Sequence, residues 1–250
     1  FQMRKSDAAS QGNLQIIAMA KLNEDLESFS YSVSHNLQSP LATSFNYLRF
    51  IRENNNDANA REKWIQKTEE KMRELEKIIY DLLNLSRSER EPLRLEEINL
   101  PFIIDGVAEG LRSSGIAEFD INYTDLAPVF ADEGLLKQAL NNIIGNAIKY
   151  AKPDVRPQIK IRTHTYDGGI EVIIEDNGIG IHSDKLLEVF RPFKRLIPER
   201  QKTGHGLGLY IVEKIMLRHG GKIWAESHSS GSSIHFVLPE KKKAEGDHAR

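Results

Sequence analysis

The sequence predicts an α + α/β protein: an antiparallel helical hairpin that pairs into a dimeric four-helix bundle, followed by a two-layer α/β sandwich. Three observations carry this. Apolar residues recur by threes and fours through residues 14–52, and again after a run of asparagines. A charged segment around Pro92 then ends that pattern. Beyond it, helical stretches alternate with short β-branched runs around glycine turns, the order expected of helices packed on a mixed sheet.

The first helix is drawn by Leu22, Leu26, Phe29, Val33, Leu37, Leu41, Phe45 and Leu48, a single apolar stripe. At roughly 100° per residue, His35 points away from that stripe, towards water. Pro40 sits within the same pattern, where it offers no N–H to the carbonyl of Asn36 and opens that turn. Periodicity from residue 14 to about 52 gives a rod on the order of 60 Å. Residues 1–12 are polar and read as irregular. Residues 54–59 are turn formers, Asn59 is placed to cap a second helix and Glu62 to cap reciprocally. In that helix Ile65, Thr68, Met72, Leu75, Ile79 and Leu82 form a heptad seam. One hairpin buries too little, so a homodimer through residues 14–88 is predicted. A coiled-coil hairpin packed on the second part of its own chain is the alternative.

Residues 89–97 read as a hinge. After it come a helix at 101–112 with Pro at its first turn, short strands at 119–123 and 129–131, and a strong helix at 132–150. Strands at 159–165 and 170–175 flank the turn Asp167-Gly168-Gly169. A polar segment, 182–204, precedes a helix at 207–218 and strands at 222–227 and 233–238. The charged tail 241–250 is predicted to be disordered.

Composition limits the function. The chain has 250 residues, enough for two domains or one large one, and 40% hydrophobic content, enough for a core. A net charge of −2 argues against a general nucleic-acid binder. The absence of cysteine excludes disulfides and thiolate metal sites, and fits a reducing compartment. No apolar run is long enough to span a bilayer and no signal peptide opens the chain, which begins at Phe1 and reads as a fragment of something longer. His164, His182, His205, His219, His228 and His235 show no ligand spacing.

Four constellations in the second part carry chemistry. Asn142 and Asn146 lie one helical turn apart, so both amides point the same way beside an apolar face. Amide oxygens are hard ligands suited to Mg²⁺; helix capping or surface polarity is the plain alternative. Lys149 and Tyr150 follow one turn on. Asp176-Asn177-Gly178-Ile179-Gly180 follows a strand, where a carboxylate can accept from the exocyclic amine of adenine and would repel the oxygen of guanine. A plain Asx turn is the alternative. Gly204-His205-Gly206-Leu207-Gly208-Leu209 opens a helix, whose N–H groups can cradle phosphates, yet it fits neither a P-loop nor a dinucleotide fingerprint. Phe190, Phe193 and Arg195 lie between the glycine motifs, two aromatic anchors for a closing segment and a cation for the terminal phosphate.

Taken together and in order, these motifs make the chain resemble the kinase core of the two-component sensor histidine kinases. Ser34-His35-Asn36-Leu37-Gln38-Ser39-Pro40-Leu41 resembles the phospho-acceptor box. Residues 142–150 resemble the asparagine box, 176–180 and 204–209 the two glycine boxes, 190–193 the aromatic box, and 220–239 the closing segment. The resemblance implies an ATP-binding fold of the GHKL (Bergerat) type, shared with gyrase, mismatch-repair and heat-shock chaperone ATPases. It implies a linker at 1–12 to an upstream sensor domain, a dimerisation and phospho-acceptor domain at 13–90, and a catalytic domain at 91–240. It implies ATP with Mg²⁺ held by Asn146 and Asn142, phosphates held by Lys149 and Arg195, Tyr150 near the base, and Asp176 reading adenine. Gly178, Gly180, Gly204, Gly206, Leu207, Gly208 and Phe193 would line the same site. The γ-phosphate would pass to His35 and then to an aspartate of a response-regulator receiver domain. A cytoplasmic location is implied, with any membrane attachment lying upstream of Phe1.

Two positions depart from the family's pattern. Asn36 stands where an acid usually follows the histidine; it can orient the ring but cannot take its proton at neutral pH. Ser39 stands where Thr or Asn is common in members that also dephosphorylate their partner. Slow autophosphorylation is therefore expected, with a phosphatase-biased or scaffolding dimer as the alternative.

Overall fold

The computed structural model describes residues 2–53, 57–115, 118–194 and 205–240. Two compact units emerge, Phe1–Ile78 and Ile79–Arg250. The first is built on helix α1 (Gln2–Glu53) and most of α2 (Ala58–Arg90).

Helix α1 runs for 52 residues, about 78 Å. It starts well before the predicted residue 14, so the polar residues after Phe1 are helical, not irregular. The physical reason is composition: Gln, Met, Arg, Lys and Ala all favour helix and no breaker intervenes before Gly12. The start of α2 also differs from the expectation. Asp57, not Asn59, caps it, its Oδ1 accepting the N–H of Ala60 at 3.0 Å. Near the turn, Trp64 of α2 packs between Tyr47 and Phe50 of α1, with ring centroids 5.2 and 5.0 Å apart, and Lys67 lies over both Tyr47 and Trp64. The stripe on α1 is incompletely covered: Leu26, Leu41, Phe45 and Leu48 stay exposed. On α2, Met72 and Leu83 are exposed too.

The second unit carries β1 (Leu95–Ile98), α3 (Leu100–Ser113), β2 (Asp120–Tyr123), β3 (Val129–Asp132), α4 (Glu133–Lys149), β4 (Gln158–Tyr166), β5 (Gly169–Asp176), α5 (Gly208–Arg218), β6 (Lys222–His228) and β7 (Gly231–Pro239). Much of the predicted hinge at 89–97 is regular structure. Its first residues end α2, and Leu95, Glu96 and Glu97 belong to β1, which pairs antiparallel with β3. Charge masked that strand in the sequence.

The main sheet has the order β2-β4-β5-β7-β6. Only β2–β4 is parallel; the other pairings are antiparallel. Register puts Ile161, Ile174 and Ile234 in one row and Val172 beside Phe236, all on one face. That face is buried under Ile104, Leu140, Ile144, Ile211 and Met216 of the three helices. Two layers around one core result, as the alternating pattern predicted.

Helix α4 is seated by a junction at Asp132. Its Oδ1 caps the N–H of Leu135, its Oδ2 accepts from the N–H of Arg94, and its own N–H donates to His219 Nε2 at 3.0 Å. The ring proton of His219 must then lie on Nδ1, which donates to the carbonyl of Ile215. One carboxylate and one imidazole thereby fix the start of α4 against the end of α5. The asparagines further along α4 inherit that placement.

Candidate functional site

Asp176 ends β5 and anchors the site. Its Oδ1 accepts the N–H of Gly178 at 2.8 Å, and its Oδ2 accepts the hydroxyl of Ser232 at 2.7 Å. The first bond is the Asx turn named as the plain alternative. The second holds the carboxylate from the neighbouring strand, where Ser232 pairs with Asp176 in register. A carboxylate oxygen has more than one lone pair, so acceptor capacity remains on each. Ser232 was not singled out in the sequence, because its place beside Asp176 comes from strand register.

The glycines here are needed for space. A Cβ at Gly178 would lie 2.6 Å from the carbonyl oxygen of Tyr150 and 2.7 Å from Asp176 Oδ1. Ile179 donates its N–H to the same Tyr150 carbonyl. The first glycine motif is thus stitched to the C-terminal end of α4. Gly180 has φ +76°, the left-handed region glycine occupies without strain.

Asn142 and Asn146 lie one turn apart on α4, both half-buried, with Ile143, Ile144 and Ala147 beneath them in the core. Gly208, the first residue of α5, lies against this pair. A Cβ there would meet Asn142 Oδ1 at 3.5 Å and Asn146 Nδ2 at 3.7 Å. Gly208 of the second glycine motif and the asparagines are therefore neighbours, although Gly208 lies 62 residues after Asn146 in the sequence. Among the described residues no side chain caps the start of α5. Leu207 contributes backbone only, since its side chain is 1% exposed and belongs to the core.

Lys149 Nζ lies 4.5 Å from the centre of the Tyr150 ring, a cation–π contact at the end of α4. Phe193 has φ +59°, and its N–H donates to the carbonyl of Gly206 at 2.9 Å. Gly206 has φ +76°, and a Cβ on it would meet the backbone of Phe193 and Lys194 below 3 Å. The aromatic motif and the second glycine motif therefore clasp each other. Hydrogen bonds from Lys194 and Lys185 hold Glu188 below the ordinary carboxylate range. His205 is buried and pairs with Asp81 of the same unit at 2.7 Å. Arg195 and Gly204 lie outside the described residues.

His35 is on α1, in the first unit, and is exposed as its position off the apolar stripe predicted. Asn36 does not turn to the imidazole: its Nδ2 donates to the carbonyl of Ser32 at 2.8 Å. Ser39 is exposed, and its carbonyl accepts from Thr43. Pro40 is buried, and Ser44 donates to its carbonyl.

Two families match the chain. Residues 25–91 match the His Kinase A (phospho-acceptor) domain, and residues 131–242 match the histidine kinase-, DNA gyrase B- and HSP90-like ATPase. The chain belongs to the sensor histidine kinases. Cyanobacterial phytochrome B of Nostoc sp. (strain PCC 7120) is 32% identical, over 95% of this chain and 32% of the relative. The sensory kinase SasA of Gloeothece citriformis is 31% identical, over 83% of this chain and 56% of the relative. The chain thus spans from about a third to just over a half of the length of these two relatives. Among solved structures, the histidine kinase ThkA in complex with the response regulator protein TrrA superposes with a TM-score of 0.67, at 25% identity, over 86% of this chain and 63% of that one. The histidine kinase AdeS of Acinetobacter baumannii shares the fold, with a TM-score of 0.63 over 83% of this chain and 98% of that one, at 22% identity. No helix among the described residues is long and apolar enough to cross a membrane.

Proposed function

We propose that this histidine kinase core phosphorylates itself on His35 from ATP, and then passes the phosphoryl group to an aspartate of a response-regulator receiver domain. One observation carries the reading. The same chain carries an exposed histidine within the residues that match the phospho-acceptor domain, while Gly208 lies against Asn142 and Asn146 and Gly178 lies against both Asp176 and Tyr150 at the end of the asparagine helix.

The residues present fit the nucleotide and its metal. Asn142 and Asn146 would hold Mg²⁺, since both carry a hard amide oxygen and lie one turn apart beside Gly208, against which Asn142 sets its Oδ1 and Asn146 its Nδ2. Mg²⁺ would supply neutralising charge to the phosphates. Asp176 would accept from the adenine amine, and Lys149 and Arg195 would hold phosphates. Gly178, Gly180, Gly204, Gly206, Leu207, Gly208, Phe193 and Tyr150 would shape the cavity. Domain limits of 13–90 and 91–240, an upstream sensor domain and a cytoplasmic location complete this reading. So does a homodimer through 14–88, which the exposed Leu41, Phe45 and Leu48 support.

Neutral imidazole is a nucleophile near pH 7, and an exposed one can meet two partners in turn. Phosphoryl transfer asks chiefly for alignment and charge stabilisation. Labelled ATP is the direct test: acid-labile label should appear on the chain, vanish in His35→Gln and Asn146→Ala, and chase onto a receiver domain. Label that survives in His35→Gln would overturn the assignment.

A second reading is favoured by Asn36, whose amide is committed to the Ser32 carbonyl and leaves no base beside His35. In it the dimer acts mainly as a phosphatase or scaffold. Asn36→Asp separates the two, and the kinase reading expects roughly a ten-fold or greater rise in single-turnover labelling, since general bases contribute about 10²–10⁴-fold. An unchanged rate would show that Asn36 is not what limits transfer.

A further inference from the structure

We propose that Tyr31 is a positioning residue for phosphoryl acceptance, its ring holding and electrostatically supporting the imidazole of His35. The inference rests on the reading of His35 as the acceptor. Tyr31 lies one turn before His35 on α1, and the two rings stack with centroids 6.4 Å apart and planes inclined by 22°. Helical side chains lean towards the N-terminus, so the imidazole at 35 leans over the residue at 31. Tyr31 is 74% exposed, so its ring adds little to the packing of the hairpin.

The two side chains that flank His35 in sequence are engaged elsewhere. Asn36 donates to the carbonyl of Ser32 at 2.8 Å, and Ser34 donates to the carbonyl of Ser30 at 3.0 Å. Both bonds run back along the helix, away from the imidazole, whose ring partner is Tyr31. Transfer uses the lone pair of one ring nitrogen to form the N–P bond. The bridging P–O bond breaks, and its electron pair leaves with ADP. The proton on the second ring nitrogen is still present at that moment, so the phosphorylated ring is cationic until water takes the proton. No carboxylate neighbours it in sequence. An aromatic face attracts a cation even when exposed, and stacking also limits rotation of the ring about its Cβ–Cγ bond.

The test uses the whole chain with isotope-labelled histidine, the His35 ring C–H signal being assigned by its loss in His35→Gln. The stack predicts a ring-current displacement of that signal, kept in Tyr31→Phe and lost in Tyr31→Leu. In single-turnover labelling, Tyr31→Leu should be about two- to five-fold slower, the range an exposed cation–π contact supports. The ATP concentration at half-saturation should not move, and Tyr31→Phe should match the parent. Tyr31→Met serves as a second ring-free variant should Tyr31→Leu lose helix by circular dichroism. An unmoved signal, or an unchanged rate in a folded ring-free variant, overturns the proposal. Failure of the unsubstituted chain to label His35 at all would instead strike the parent reading, and is seen before any tyrosine variant is compared.

Discussion

At Gly178 one hydrogen atom in place of a methyl decides whether the Asp176 carboxylate can sit where it does. A Cβ there would press on the Tyr150 carbonyl oxygen and on Asp176 Oδ1, two atoms that cannot both withdraw without undoing the turn. Gly178→Ala should therefore cost about 1–3 kcal/mol at this site. Titration with a fluorescent adenine nucleotide should show affinity reduced roughly ten-fold or more, at 1.4 kcal/mol per factor of ten. Unreduced affinity would mean that the glycine turn is not part of the nucleotide site. The acidic residue and the glycines were legible in the sequence because a strand end followed by Asp-Asn-Gly needs a tight turn. Ser232 was not, since only strand register brings it to Asp176. A second buried chain, Glu171–His235–Ser233, has bonds of 2.9 Å on both sides of the imidazole. Its order resembles a nucleophile relay, but Ser233 is only 3% exposed. With His235 stacked on Trp224, it ties β5, β6 and β7 together on the face opposite the helices.

Among the elements, α4 was the easiest to read. Its apolar spacing is long and regular, and Asp132 marks its start. β1 was missed for the opposite reason: four residues, two of them glutamates, are held by pairing with β3 across more than thirty positions. Helix α5 carries a tension that the sequence concealed. Glu213 is half-buried, and desolvation raises its pKa above the ordinary glutamate value, partly offset by Lys214. The folded state then binds a proton more tightly than the unfolded chain. The sign follows: stability is greatest below the unfolded pKa and declines as pH rises through the folded one. Glu213→Gln should raise the thermal midpoint near pH 7 and lose that advantage near pH 4, as calorimetry at the two values would show. An advantage that grew in acid would contradict the desolvated carboxylate.

At the scale of the molecule, the two units have different demands. The α/β unit closes its own core, with Leu100, Ile104, Ala139, Leu140 and Phe236 at or near zero exposure. The hairpin does not, leaving Leu26, Leu41, Phe45, Leu48 and Met72 open. Such a stripe asks for a second copy, and pairing would cover both helices at once. Phe45 is 64% exposed along this stripe. Phe45→Glu should turn the proposed dimer into a monomer by analytical ultracentrifugation while leaving nucleotide binding within about two-fold, because distant sites act independently. A dimer that survives the substitution would place its interface elsewhere. The two-part plan was visible in the sequence from the change of period alone. The strand within residues 89–97 was not, because its glutamates look the same in a loop and on a strand.

The most direct test of the account locates the phosphate. After one turnover with ATP and Mg²⁺, the chain would be digested at neutral to alkaline pH, which spares phosphoramidates, and mapped by mass spectrometry. The account predicts a single modified peptide carrying phosphohistidine at residue 35, absent when Asp176 or Asn146 is replaced. Phosphate on any other residue, or none at all while nucleotide is bound, would contradict it.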